Sequence, residues 1–383
     1  PDCNYPEKRL CGAVVALKLV TALYEACGIP EKELEDFLEL GAIATVGDVM
    51  DLQGENRILV KEGLKRLSHT SNKGLRELIR ANGLEDGPIT AYHVGFVLGP
   101  CINASGRLDT AARSLKLLCA ETEDEAAKLA GDLTALNQSR KALTEEGKEA
   151  AIRIVEETEI GQDRVLVIYL PDCHESLAGI IAGRIREKYN KPVFVLTKGE
   201  TMVKGSGRSI ESYSMFEELV KCGDLMEQYG GHTCCGASGE GNKEENVEEF
   251  RRRLNENCTL TEKDLAPKIL IDVPMPVSYI NKELVEEISL LEPFGKGNTK
   301  PIFAQKGLRV LSSRILGKNR NVAKLQLSDS TGCVVEAVYF GEADEFVDRI
   351  KKCGSIAVTY YPEINRYQGR ETLQIVIRNY ITE

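Results

Sequence analysis

Apolar residues recur at helical spacing through the first part of the chain, then in short continuous or alternating runs. Leu10, Val14, Leu17, Val20 and Leu23 share one stripe and predict a helix over residues 8–27. Shorter helical patterns follow around Glu31 to Leu38, Asn56 to Arg66, Gly74 to Ala81, Thr90 to Leu98 and Thr110 to Leu118. From about Glu123 to Glu157 a proline-free, highly charged stretch puts Leu129, Leu133, Leu136 and Leu143 on one stripe, which suits an exposed connector helix between two domains. The pattern then changes to α/β. Val165 to Leu170 predicts a strand, Ser176 to Tyr189 a helix with Ser176 as its N-cap, and Pro192 to Leu196 a second strand, most simply in a buried parallel sheet. Gly179 and Gly183 lie on one face of that helix and are expected to serve close helix-to-sheet packing.

From about Lys268 the chain becomes mostly β. Strands are expected at Ile269 to Val273, Ile302 to Val310, Val322 to Leu327, Val334 to Tyr339, Ser355 to Tyr360 and Thr372 to Ile377, with a helix from Glu342 to Lys351 before the last two. Short strands around one helix fit a small five-stranded OB-like barrel. The fold class is therefore α/β multidomain, divided at 1–120, a connector at 121–160, an α/β domain at 161–262 and a β-barrel at 268–383.

Length and composition agree with this plan: 383 residues suffice for two or three domains, each with its own core. No apolar stretch approaches the roughly 20 residues of a membrane span, so no membrane association and a cytoplasmic setting are expected. The twelve cysteines are scattered without a Cys-x-x-Cys pattern, which argues for reduced thiols and against zinc. A net charge of −10 argues against indiscriminate polyanion binding, yet the charge is uneven. Lys296, Lys300, Lys306, Arg309, Arg314, Lys318, Arg320 and Lys324 follow one another with no intervening acid. Phe303 near the start of this stretch, and Tyr360, Tyr361 and Tyr367 beyond it, add rings; a basic groove with stacking rings is how OB folds hold single strands without reading sequence. Phe303 and Tyr339 are better read as barrel core.

Three small clusters carry candidate chemistry. Asn103 and Arg107, four apart, share a helix face, and the small Ala104, Ser105 and Gly106 keep an anion's approach open. The bland alternative is a surface Arg107 paired with Asp109. Ser206 and Arg208, flanked by Gly205 and Gly207, suit a strand end whose hydroxyl and guanidinium meet an anion, although Gly-Ser-Gly-Arg alone is more often a turn. Gly230 and Gly231 precede His232 and leave its imidazole unshielded, able to hydrogen-bond a phosphate or a leaving group. Upstream, Asp48 ends the small apolar run Gly41 to Val46, where a carboxylate either caps the adjacent helix or ligates a metal.

The order of these clusters, with Leu291-Glu292-Pro293-Phe294-Gly295-Lys296-Gly297-Asn298 near the barrel, resembles the RecJ family, single-strand-specific exonucleases within the DHH phosphoesterases. The resemblance covers nearly the whole chain. It implies a DHH catalytic domain, a DHH-associated substrate domain and an OB domain, with two divalent ions, Mn²⁺ or Mg²⁺, activating water and neutralising the phosphate. It assigns Asp48 as the last aspartate of the metal cage, His232 as catalytic, Asn103, Arg107, Ser206, Arg208, Gly230 and Gly231 to substrate phosphate, and Lys318, Arg320, Tyr361 and Tyr367 to the nucleic-acid groove. It implies 5′-to-3′ hydrolysis of single-stranded DNA by a monomer in repair and recombination, with a single-strand-binding protein or a helicase as candidate partners.

No Asp-His-His run occurs, and Pro1 to Pro6 resembles a segment internal to the family. The chain is therefore expected to be a fragment without the N-terminal part of the DHH domain, most of its metal ligands absent and its activity lost. The alternatives are a non-catalytic single-strand binding module, or a small-substrate oligoribonuclease or nucleotide phosphatase of the same superfamily.

Overall fold

The computed structural model describes residues 4–199, 202–232, 236–242, 244–317, 319–367 and 369–382; the side chains of Glu31, residues 232–242 and Tyr367 lie outside the described part. The chain forms two compact units. One comprises residues 1–68, 88–94 and 269–383, the other residues 69–87 and 95–268. These bounds differ from the linear division made above because the helices before residue 68 share a unit with the barrel, while residues 95–120 join the α/β sheet.

The first unit begins with α1 (Gly12–Cys27), α2 (Glu35–Gly47) and α3 (Gly54–Leu67). Helix α2 lies very close to α3, because a Cβ on Gly63 would sit 2.5 Å from Ala42 Cβ and 2.6 Å from Leu38 O. The second unit takes up α4 (Lys73–Ala81), whose start is capped by Asn72 accepting from Leu75 N. The expected helix at 90–98 is divided. A single turn α5 (Ala91–His93), boxed by Thr90 and His93, belongs to the first unit, and a π-turn follows at Val94–Leu98.

Helices α6 (Gly99–Leu108), α7 (Ala112–Leu118) and α8 (Glu123–Glu157) continue the second unit. Helix α8 has the length its pattern predicts, but it is packed rather than an exposed connector: Ala126, Ala130, Leu133, Asn137, Thr144, Ala151 and Val155 form its buried seam. Small residues dominate because α4, α6, α7 and α9 (Ala178–Tyr189) all contact it. The sheet beside α9 contains β1 (Leu166–Tyr169), β2 (Val193–Lys198), β3 (Val203–Arg208), β4 (Gln228–His232) and β5 (Gly236–Asn242) in the order β1-β2-β3-β5-β4. Only β1 and β2 are parallel, so the expectation of a parallel sheet is corrected to a mixed one. The connection from Lys198 to Val203 is too short for a crossover helix, and an antiparallel return is the geometry it allows. α9 and α8 cover one face through Ala151, Ile181, Ile185 and Val195. Helices α10 (Met215–Lys221) and α11 (Val247–Glu256) cover the other, with Phe194, Met215, Phe250 and Leu254 at its core. The short α12 (Glu262–Leu265) ends this unit's helices.

The returning part of the first unit carries β6 (Val273–Pro274), α13 (Lys282–Ser289), β7 (Phe303–Leu316), β8 (Val322–Ser328), β9 (Val334–Phe340), α14 (Ala343–Ile350), β10 (Ile356–Tyr367) and β11 (Arg370–Thr382). The strand expected at 269–273 shrinks to the two residues of β6, and Leu270 is 80% exposed. Strand order β10-β11-β9-β8-β7, with β10 also pairing β7, closes the barrel. Leu308, Leu325, Leu327, Ala337, Ile356, Tyr360 and Ile375 fill it, capped by Phe346 of α14. Among the described residues no helix is long and apolar enough to cross a membrane.

Candidate functional site

A cleft of about 500 Å³ opens in the second unit, lined by Arg107, Glu175, Ser176, Gly179, Lys204 to Ser206, Arg208 and Gln228 to Gly230. Strand alternation builds its floor. Lys204, Ser206 and Arg208 are spaced two apart on β3, while the intervening glycines face the core. A Cβ on Gly207 would sit 2.6 Å from Met215 Sδ and 2.9 Å from Phe194, and one on Gly205 2.3 Å from Leu196 Cδ2. These glycines therefore serve packing, and what they leave on the other face is a basic row.

Arg208 is held in place from its own strand, its Nη1 donating to Gly207 O at 2.7 Å and to Ser206 Oγ at 3.2 Å. Gly179, in the first turn of α9, provides the space: a Cβ there would sit 2.8 Å from both Arg208 Nη2 and Ser206 Oγ. Gly183, on the same face, makes only ordinary contact with Arg208 Cγ at 3.9 Å, as a packing residue would. The opposite wall is Arg107, whose Nη1 donates to Ser176 O at 2.7 Å. It is not paired with Asp109; that carboxylate is engaged by Arg113 at 2.6 Å, so the bland reading of Arg107 fails on geometry. Among the described residues the lining holds one carboxylate, Glu175, which Lys204 meets at 3.2 Å. Ser176 is not the N-cap expected of it. His174 takes that place for the 3-10 turn at Glu175–Leu177, its Nδ1 accepting from Ser176 N at 3.3 Å.

Of the phosphate-reading residues expected from sequence, Arg107, Ser206, Arg208 and Gly230 thus line one cleft. Asn103 lies exposed one helical turn before Arg107 on α6, and Gly231 follows Gly230 on β4. His232 ends β4, its backbone paired with Gly236; its side chain lies outside the described residues. Sequence reasoning missed Lys204 and Gln228, and the period of two that links Lys204 to Ser206 and Arg208 was the available signal.

In the first unit, Asp48 flanks the C-terminus of α2, where its N–H, not its carboxylate, closes the helix on Ala44 O at 2.8 Å. Its side chain is exposed, and among the described residues no group of three or more His, Cys, Asp or Glu is placed to hold a metal. A single exposed carboxylate does not fit a two-ion centre. The Leu291-to-Asn298 segment is a buckle between α3 and the barrel. Arg57 Nη2 donates to Leu290 O and Glu292 O at 2.9 and 3.1 Å, Leu52 N to Lys296 O at 2.7 Å and Gln53 Nε2 to Gly297 O at 2.7 Å.

The basic stretch is acid-free along the sequence but not in space. Lys296 pairs with Asp51 at 3.3 Å, Arg320 with Asp344 in a two-bonded fork, and Lys324 with Glu336 at 2.6 Å. Lys306, Arg309 and Arg314 make no ion pair among the described residues. Lys300 sits over the half-buried Tyr361 ring, 3.8 Å from its centroid, and burial lowers its proton affinity while raising that of the phenol. Tyr361, Val376, Val338, Lys324 and Arg314 stand in register across β10, β11, β9, β8 and β7, a row from an aromatic ring to two cations. Lys318 and the Tyr367 side chain lie outside the described residues. Phe303 is core as expected, and Tyr360 is buried with its hydroxyl donating to Met275 O at 2.6 Å.

Residues 162–259 match the DHHA1 domain and residues 271–379 the RecJ OB domain. The single-stranded-DNA-specific exonuclease RecJ of Bacillus subtilis is 33% identical over 384 residues, covering 99% of this chain and 47% of that protein. The Salmonella typhimurium protein of the same name is 30% identical over 396 residues, covering 98% of this chain and 68% of that one. The chain thus spans about half the length of the first of these relatives. Among solved structures, RecJ of Thermus thermophilus in complex with Mg²⁺ superposes with a TM-score of 0.83 at 29% identity, covering 99% of this chain and 57% of that one. The same protein in complex with Mn²⁺ gives the same TM-score and identity. Likeness that runs through almost every residue, and through a domain type particular to this group, makes the chain a member of the RecJ family within the DHH phosphoesterases.

Proposed function

We propose that this chain is the end-binding and strand-binding part of a divalent-metal-dependent exonuclease that degrades single-stranded DNA from the 5′ end. The observation that carries the reading is the cleft, which gathers Arg107, Lys204, Ser206 and Arg208 and, among the described residues, the carboxylate of Glu175. Such a site neutralises one terminal phosphate, with Arg208 and Ser206 as donors from β3 and Arg107 from α6. His232 is proposed to act on the scissile phosphate or the leaving group, and Asn103, Gly230 and Gly231 to complete the phosphate contacts. In the barrel, Lys306, Arg309 and Arg314 with the Tyr361 ring are proposed to hold the trailing strand; Lys318 and Tyr367 are proposed alongside them, while Arg320 already has its carboxylate. Magnesium and manganese in the relatives support a divalent requirement. Asp48 would contribute one ligand and cannot hold two ions alone, so these 383 residues by themselves are proposed to bind a strand without hydrolysing it. A cytoplasmic monomer receiving its strand from a single-strand-binding protein or a helicase fits this role.

The test compares a 5′-phosphorylated oligonucleotide with its unphosphorylated twin. The phosphorylated strand should bind more tightly, and Arg208→Ala should abolish the difference, a loss of about 1.5–3 kcal/mol for a charge-assisted contact. Equal affinity of the two strands for the parent chain refutes the terminal-phosphate reading. Nucleotide release with Mn²⁺, abolished by Asp48→Ala, refutes the non-hydrolysing one.

A further inference from the structure

Next to the cleft, α8 carries a guanidinium that no reading of the sequence singled out. Arg140 is half-buried, and its Nε and Nη2 both donate to Asn137 Oδ1, at 3.0 and 2.9 Å. Asn137 is itself only 3% exposed and donates through Nδ2 to Cys101 Sγ at 3.2 Å. A neutral amide of fixed orientation therefore aims the guanidinium, and the remaining N–H groups, chiefly those of Nη1, stay available.

The electrostatic surroundings differ from those of the arginines on α11. Arg251, Arg252 and Arg253 each face one or more carboxylates at 2.5–2.9 Å. Arg140 pairs with none among the described residues. Its charged neighbours are Arg107 and Arg184, whose like charge adds to burial in lowering its proton affinity. Acids are not scarce, with 59 Asp and Glu against 49 Lys and Arg. Arg184 is itself paired with Glu187 at 3.2 Å, so Arg107 and the half-buried Arg140 are the guanidiniums that an anion would complete. Arg107 connects the two groups, since it lines the cleft and is carried by α6, which packs on α8 and meets Asn137 through Cys101 Sγ.

We propose that Arg140 and Arg107 form a second phosphate site, which takes the first internal phosphodiester of a strand whose terminal phosphate lies against Ser206 and Arg208. The proposal rests on the cleft being a terminal-phosphate site, and the experiment separates the two. Three competitors are titrated against a fluorescent 5′-phosphorylated oligonucleotide bound to the 383-residue chain: thymidine 5′-monophosphate, thymidylyl-thymidine without a terminal phosphate, and its 5′-phosphorylated form. Arg140→Gln should weaken both dinucleotides by about tenfold or more and leave the mononucleotide within about twofold. Arg208→Gln should weaken the mononucleotide and spare the unphosphorylated dinucleotide. Arg140→Lys, which keeps the charge but loses the fork on Asn137, should fall between parent and Gln, so that the result stands even if Arg140→Gln fails to fold. With a long strand, Arg140→Gln should also reduce the slope of log affinity against log salt by roughly 0.7. An Arg140→Gln chain that binds all three competitors like the parent, or weakens all three equally, overturns the second site. A parent that binds thymidylyl-thymidine but not the mononucleotide overturns the terminal-phosphate reading instead.

Discussion

Gly179→Ala isolates the geometry of the cleft from the stability of the fold. The added Cβ would sit 2.8 Å from Arg208 Nη2 and 2.8 Å from Ser206 Oγ, too close for either to stay. Both are ends of side chains that can swing, so the fold accommodates the methyl group, and alanine's helix preference returns at most about 1 kcal/mol at this position. What is lost is the placement of the two donors. If one charge-assisted contact to a terminal phosphate goes, the cost is about 1.5–3 kcal/mol, or roughly 10- to 150-fold in affinity. Gly74→Ala supplies the contrast, because its Cβ would fall 1.9 Å from the backbone oxygen of Leu117, which cannot swing away. Thermal melts and titration with a 5′-phosphorylated oligonucleotide, run on both variants, give the comparison. Gly179→Ala should melt with the parent and bind weakly, while Gly74→Ala should lose about 1–3 kcal/mol or more. Parent-like binding by a well-folded Gly179→Ala refutes the assignment of Ser206 and Arg208 to the phosphate. A Gly179→Ala chain that melts as early as Gly74→Ala refutes the claim that the space is functional rather than structural.

The parts of this molecule legible from sequence are those where one local rule acts alone. The period of 3.6 gave α1, α3 and α8 nearly to their ends, and short apolar runs located β1, β2, β8 and β9, because burial of one face sets those patterns. Which face of α8 is buried was legible only in part. Leu133 of the leucine stripe is buried, yet Leu143 is 43% exposed and the seam otherwise runs through Ala126, Ala130, Asn137 and Thr144, since four neighbouring helices need close approach. Ser206, Arg208 and Arg107 stood out as candidates because glycine and other small residues flank them directly, and the structure lines one cleft with them. Arg140 could not be found: an arginine in a charged helix looks solvated until Asn137, Arg107 and Arg184 are placed around it. The basic stretch shows the converse error, since linear sequence hides Asp51, Asp344 and Glu336, acids that arrive from other elements to pair with it.

Three further predictions follow from individual contacts. Tyr360→Phe removes the buried hydroxyl that donates to Met275 O at 2.6 Å and leaves that carbonyl without its donor, so a denaturant melt should show a loss of about 1–3 kcal/mol. The Asp329 carboxyl is held below the ordinary carboxylate range, first by the Thr331 hydroxyl and then by the N–H groups of Cys333, Thr331 and Gly332 in the β8–β9 turn. Its contribution is complete above the unfolded value of about 4 and is lost as pH falls through the lower folded value, so Asp329→Asn should flatten the fall of stability below about pH 4 and leave the slope above it unchanged. The last prediction concerns which cations of the barrel face a strand. Lys296, Arg320 and Lys324 already have carboxylates, whereas Lys306, Arg309 and Arg314 have none among the described residues, so the second trio is free to release counterions from DNA. Neutralising Lys306, Arg309 and Arg314 together should therefore weaken binding of a long single strand and lower the slope of log affinity against log salt by roughly 0.7 for each phosphate lost, up to about 2. Arg320→Gln should leave both nearly unchanged. If Arg320→Gln flattens the salt dependence as much as the triple change does, the ion pairs open on binding, and the basic stretch acts as the continuous patch that its sequence suggests.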